Sequence, residues 1–181
     1  MQNFSKLLPV IFVAMFFATI VQVSAQQLNL PPRETARPQT TNGVPHIQIG
    51  IEAMPELSAE LLRRVAEFPG VTLGATRISL PGATGFQLDD DLPLANPQVI
   101  VGGREFAHVH PDGSLHASLH PETARIAVEA GWATMHPWSD QRDGWEGFVM
   151  IYTPVTDSEL EIVFLLVQSS YSFVTGQTLS N

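Results

Sequence analysis

The chain of 181 residues carries 9 basic and 18 acidic residues, a formal charge of −9, and no cysteine. So acidic a surface repels nucleic acid and anionic lipid headgroups and suits a protein that meets small molecules. Without a disulfide, an apolar core has to hold the fold together.

Residues 1–25 read as a signal peptide. Lys6 supplies the positive start, Leu7 to Val23 is an apolar run broken only by Pro9, Thr19 and Gln22, and Val23-Ser24-Ala25 offers a cleavage site. The expected product is exported to the periplasm or cell exterior, with its first residue near Gln26; an uncleaved segment would instead anchor the protein in a membrane. The remaining 156 residues suit one ordinary domain and carry 8 Arg, no Lys and 18 acids.

Residues 26–45 are rich in Pro, Thr, Asn and Gln without apolar periodicity and read as a flexible linker. The domain is expected over 46–176, followed by a tail at 177–181. Ser58 is a candidate cap for a helix bearing Leu61, Leu62, Val65 and Phe68, stopped by Pro69-Gly70. Val71 to Ser79 and Gly85 to Leu88 read as extended segments, separated by a Pro81-Gly82 turn. Glu105 to His110 and Ser114 to Leu119 flank Pro111-Asp112-Gly113, a strong hairpin signal. Pro121 opens a helix over Ala124 to Ala130, closed by Gly131. Phe148 to Tyr152 is a continuous apolar strand, and Asp157 or Ser158 caps a last helix that ends near Gly176. The mixture predicts an α+β fold: one antiparallel sheet with a central histidine-bearing hairpin, packed by about three helices.

A three-residue hairpin loop with Gly113 left-handed pairs residues whose numbers sum to 224. Phe106, His108, His110, Ser114, His116 and Ser118 then share one face, and Ala107, Val109, Leu115, Ala117 and Leu119 share the other. A slip of one residue would bury imidazoles among aliphatics, so the pattern supports this register. Three histidines thus meet, with three readings open. They hydrogen-bond on a polar sheet face, they ligate a divalent metal through His108, His110 and His116, or they do acid–base work on a bound molecule. On this alternation no carboxylate shares their face, although Asp112 and Glu105 are near in sequence. His136 lies in a loop that can return to the hairpin, while His120, before Pro121, serves the helix start. Trp132, Trp138 and Trp145 either wall an aromatic-lined pocket or simply pack.

Arg104-Glu105-Phe106-Ala107-His108-Val109-His110, then Ser114-Leu115-His116, Gly131-Trp132 and His136-Pro137, resembles the signature of the fungal luciferase family, and the chain reads as a bacterial exported member. The closing Phe148 to Pro154 strand and acidic helix are similar as well. Two departures stand out: Thr153-Pro154-Val155 lacks the family's arginine after the proline, and the turn at 111–113 is shorter and lacks a histidine. The resemblance implies oxidation of an electron-rich aromatic or pyrone-like compound by molecular oxygen as co-substrate. No organic cofactor is expected, and a divalent metal at the histidines stays open. It points to His108, His110, His116, His136, Arg104 and Glu105 as catalytic residues. Trp132, Phe106, Ser114 and Ser118 would bind substrate. A non-catalytic periplasmic ligand- or metal-binding module and a hydrolase using histidine-bound zinc are the rivals. The partner expected is a small molecule, with no nucleic acid and no membrane for the mature form; oligomeric state is left open.

Overall fold

A computed structural model describes residues 28–179. The signal segment lies outside these residues, and among them no helix is long and apolar enough to cross a membrane. The architecture is α+β, as expected. Strands β1 (Gln39–Thr40) and β2 (Gln48–Ile49) form a small ribbon. The main sheet comprises β3 (Val71–Ala75), β4 (Thr84–Leu88), β5 (Glu105–Val109), β6 (Leu115–Ser118), β7 (Ala133–Met135) and β8 (Phe148–Ile151). Its order is β3-β4-β5-β6-β8-β7, antiparallel throughout. Helices α1 (Pro55–Val65), α2 (Pro121–Glu129) and α3 (Asp157–Thr175) complete it.

The hairpin β5–β6 sits at the centre of the sheet with the register expected: Ala107 opposes Ala117, His108 opposes His116 and Val109 opposes Leu115. Gly113 takes φ +86°, which the three-residue turn needs and a side chain would resist. The aliphatic face packs on α3, whose Val163, Leu166, Val167, Tyr171 and Val174 are buried with Leu115, Ala117 and Val109. The other face is covered by loops, which is what leaves room for a chamber there.

Boundaries shift where local chemistry differs from the simplest pattern. Helix α1 begins at Pro55 rather than after Ser58, because Pro at the first helical position supplies the start. Thr156, whose side chain accepts from the Glu159 N–H, caps α3. Three short strands, β1, β2 and β7, lie where the sequence reads as loop.

The described part of the expected linker is not a free tether. Leu30 is buried, the Trp132 Nε1–H donates to Pro31 O at 2.6 Å, and Arg33 pairs with Glu159 at 2.9 Å in a buried contact. Farther on, Gln48 Nε2 donates to Thr153 Oγ1 (2.7 Å) and its Oε1 accepts from Thr153 N–H (3.1 Å). A low-complexity sequence becomes ordered here because a few anchors reach specific partners on the domain. The segment carries His46 to the polar face of the sheet.

Candidate active site

The polar face of the hairpin is built on an irregularity. Along β4, Phe86 opposes Ala107 but Gln87 opposes Glu105, so Phe106 is an extra residue in β5. Such a bulge inverts the side-chain alternation on its far side. Phe106 accordingly packs with Phe86 and Tyr171, at centroid distances of 5.8 and 5.9 Å, and belongs to the core. Glu105 takes the place on the histidine face that strict alternation would have given to Phe106. The absence of a carboxylate from that face, expected from the alternation, is therefore corrected.

Glu105 is buried and fully engaged. Oε1 accepts from Thr76 Oγ1 (2.7 Å) and His108 Nδ1 (2.9 Å); Oε2 accepts from Arg77 N–H (2.9 Å) and Gln87 Nε2 (2.7 Å). Burial alone would raise its carboxyl pKa, but these hydrogen bonds, led by that from His108, outweigh burial and hold it below the usual range. Gly85, opposite His108, makes the space: a Cβ there would stand 2.7 Å from Glu105 Oε2.

In the neutral ring the donor at His108 Nδ1 leaves Nε2 as the lone-pair nitrogen, and that atom is buried with no partner. His110 repeats the arrangement through a relay. Ser114 Oγ donates to Asp112 Oδ1 at 2.7 Å, so toward His110 Nδ1, 3.0 Å away, the hydroxyl oxygen accepts. The network thus assigns His110 the Nδ1–H tautomer as well, with Nε2 left as acceptor. His116 has carbonyls at both ring nitrogens, Val149 O at Nδ1 and His46 O at Nε2, each 3.2 Å away. His136 is the reverse case: its Nδ1 accepts the Trp138 backbone N–H at 3.0 Å, which places the ring hydrogen on Nε2.

Five imidazoles form one cluster, each 3–6% exposed. His110 lies 4.9 Å from His116 between centroids, His108 lies 5.2 Å from His116, and His136 lies 4.7 Å from His116. His46 completes the group, 5.3 Å from His116 and 5.0 Å from His136. Burial, the leading cause in each case, disfavours the charged form. It lowers His46, brings His110 down to about 4 and His136 to about 3, and pushes His116 well below its ordinary value. Charge on neighbouring rings adds to this: His108 and His46 for His110, against Asp112; His108, His110 and His136 for His116; and His46, His108 and His110 for His136. These four imidazoles are therefore neutral near pH 7.

The cluster forms one wall of a chamber of about 240 Å³. Ile78, Leu80, Val101, Trp138 and Phe148 supply much of the remainder, and at the mouth Val44 and Leu80 are 53% and 38% exposed. Apolar walls facing bare imidazole nitrogens suit a largely apolar molecule with an ionisable hydroxyl.

Several residues expected at the site lie elsewhere. Arg104 donates to Leu88 O (3.1 Å) and Leu92 O (2.5 Å), and so ties down the loop after β4. Trp132 stays out of the chamber under Arg33, whose guanidinium lies 5.5 Å from its ring, and Trp138 takes the wall position. Ser118 Oγ donates to Val99 O and anchors the covering loop, while Ser114 acts through His110. His120 caps α2, as expected, by accepting from the Glu122 N–H. Sequence reasoning missed His46, about sixty residues from the hairpin within a segment whose composition signals only loop.

The family model for the Luciferase domain matches residues 103–170, from the start of the hairpin into α3. Over 171 residues the chain is 28% identical to a luciferase of Armillaria mellea, an alignment spanning 82% of this chain and 62% of that protein. A luciferase of Armillaria gallica is 25% identical over 168 residues, with the same shares covered. The chain thus spans about three fifths of the length of the curated relatives it matches. No solved structure matches. The matched segment contains the hairpin, His136 and most of α3, so the likeness expected from the histidine motif is shown.

Proposed function

We propose that this chain, which carries a luciferase-like domain, is an exported small-molecule oxygenase that joins dioxygen to an electron-rich, enolisable aromatic or pyrone-like compound. The observation that carries the reading is His108 Nε2: a buried, unpartnered nitrogen with a carboxylate fixed behind the ring at 2.9 Å, on a ring that lines the chamber. A neutral imidazole in that position is a proton acceptor, and the Glu105 carboxylate stabilises the imidazolium once formed. In the step envisaged, the substrate's enol O–H breaks and its proton goes to His108. The electron pair is delocalised onto carbon, which forms a C–O bond to dioxygen. The returning proton neutralises the peroxide so formed.

Other features support this. Phe148 and Trp138 give the chamber an apolar wall, an environment in which electrostatic interactions with a bound molecule are stronger than in water. The relatives are named as luciferases, and light emission is a fate of such an intermediate that the substrate sets. An oxygen electrode with a panel of hydroxylated pyrones and catechols tests the reading. Oxygen uptake by the wild type that falls about 100- to 10,000-fold in His108→Ala supports it. Tight binding of these compounds without oxygen uptake would replace the enzyme with a ligand-binding module.

A further inference from the structure

The tautomers set by the hydrogen-bond network point beyond proton transfer. Two trios in the cluster, His108/His110/His116 and His46/His116/His136, each bring one nitrogen per ring within 4.8 Å of the others. A metal bound at about 2.1 Å in tetrahedral fashion holds its nitrogen ligands about 3.4 Å apart, so small ring rotations close either trio. What lies behind the rings separates them.

In the first trio, each ring has an acceptor behind Nδ1: the Glu105 carboxylate for His108, Ser114 Oγ backed by Asp112 for His110, and Val149 O for His116. That outer shell fixes the tautomer that turns Nε2 lone pairs inward, as metal-binding histidines require. His108 Nε2 is already bare and buried. His116 adds a separate argument. Neutral imidazole has one N–H but this ring faces two carbonyls, so one lone pair always opposes an oxygen. With Nδ1–H on Val149 O, a cation at Nε2 removes that conflict. In the second trio, His136 has given its Nδ1 lone pair to the Trp138 N–H, and no group orients His46 Nδ1.

We infer that His108, His110 and His116 bind one divalent first-row transition-metal ion, with Glu105 and Asp112–Ser114 as positioning groups and coordination positions left open toward the chamber. Imidazole donors suit zinc, copper, iron, nickel and cobalt, and three of them leave room for a further ligand. The metal site does not depend on the oxygenation reading and competes with it for one atom: a cation on His108 Nε2 takes the lone pair that would otherwise accept the substrate's proton. With those lone pairs on a cation, His46 Nδ1 is still a buried imidazole nitrogen without a partner.

The test is binding of Co(II) and Zn(II) to untagged, chelator-treated protein, by equilibrium dialysis and by the visible spectrum of the cobalt form. One equivalent is expected, lost in His108→Ala and His110→Ala, retained in His136→Ala, and weakened about 10- to 100-fold in Glu105→Gln. Circular dichroism checks folding; should either alanine variant unfold, His108→Gln and His110→Gln take its place. Absence of stoichiometric binding overturns the inference. So does binding that is lost in His136→Ala and His46→Ala but kept in the His108 and His110 variants. Oxygen uptake is not part of the readout, so failure here leaves the oxygenase reading intact.

Discussion

The two halves of the histidine cluster are held in different ways. His108 and His110 stand on the central hairpin, each backed through Nδ1 by an acidic group, directly for Glu105 and through Ser114 for Asp112. His46 and His136 arrive on covering segments, and His136 is fixed by a backbone N–H that occupies its lone pair. The hairpin half presents acceptor nitrogens, whereas the loop half closes the chamber over them. Proximity alone does not make five imidazoles equivalent; the group behind each ring decides what its front nitrogen can do.

Removing the hairpin half should have the largest effect. His108→Ala or His116→Ala is expected to cut turnover about 100- to 10,000-fold, while His136→Ala, which removes a wall, should act mainly on KM. Steady-state kinetics with an oxygen electrode checks this. Comparable losses of kcat at all three positions would erase the distinction between the halves.

Glu105→Gln sharpens the comparison at the next level. It keeps the size of the side chain but loses the charge that stabilises a protonated His108, so kcat should fall by about tenfold or more with KM little changed. Gly85→Ala should act on the same group indirectly. Its Cβ would meet Glu105 Oε2 at 2.7 Å, so the carboxylate has to move, and both kcat and Tm should drop. If Gly85→Ala lowers Tm while leaving kcat unchanged, the Glu105 contact does not position His108.

A smaller, whole-cluster effect follows from the depressed imidazole pKa values. His110 at about 4 and His136 at about 3 lie below the ordinary 6.5, so the unfolded chain takes up protons first as pH falls. The stability these neutral rings contribute is full above pH 6.5. It is lost progressively below that, down to about 4 for His110 and about 3 for His136. Chelator-treated protein should show Tm falling through this window in thermal melts, less steeply in His110→Asn. Trp132→Phe, outside the chamber, should lower Tm through the lost bond to Pro31 O and leave KM unchanged.

Much of this arrangement was legible in the sequence. The turn Pro111-Asp112-Gly113 fixes the hairpin register, and the alternation of aliphatics with His108, His110 and His116 separates the two faces. The bulge at Phe106 was not legible, because it depends on how β4 meets β5, a long-range pairing. Counting by twos therefore sent Phe106 to the site and Glu105 away from it. Trp132 was misplaced for a similar reason: the segment that covers it lies a hundred residues earlier. His46 had no local signal at all, since only the Gln48–Thr153 contacts bring its segment back to the sheet.

The central claim, that outer-shell groups fix which nitrogen each imidazole offers, can be read without knowing the substrate. Long-range ¹H–¹⁵N correlation spectra of the chelator-treated protein near pH 7 report the tautomer of each assigned histidine. The account predicts a neutral Nδ1–H ring for His110, a neutral Nε2–H ring for His136 and a hydrogen on Nδ1 of His108. An imidazolium signal for His110, or an Nε2–H tautomer at His108 or His110, would contradict it.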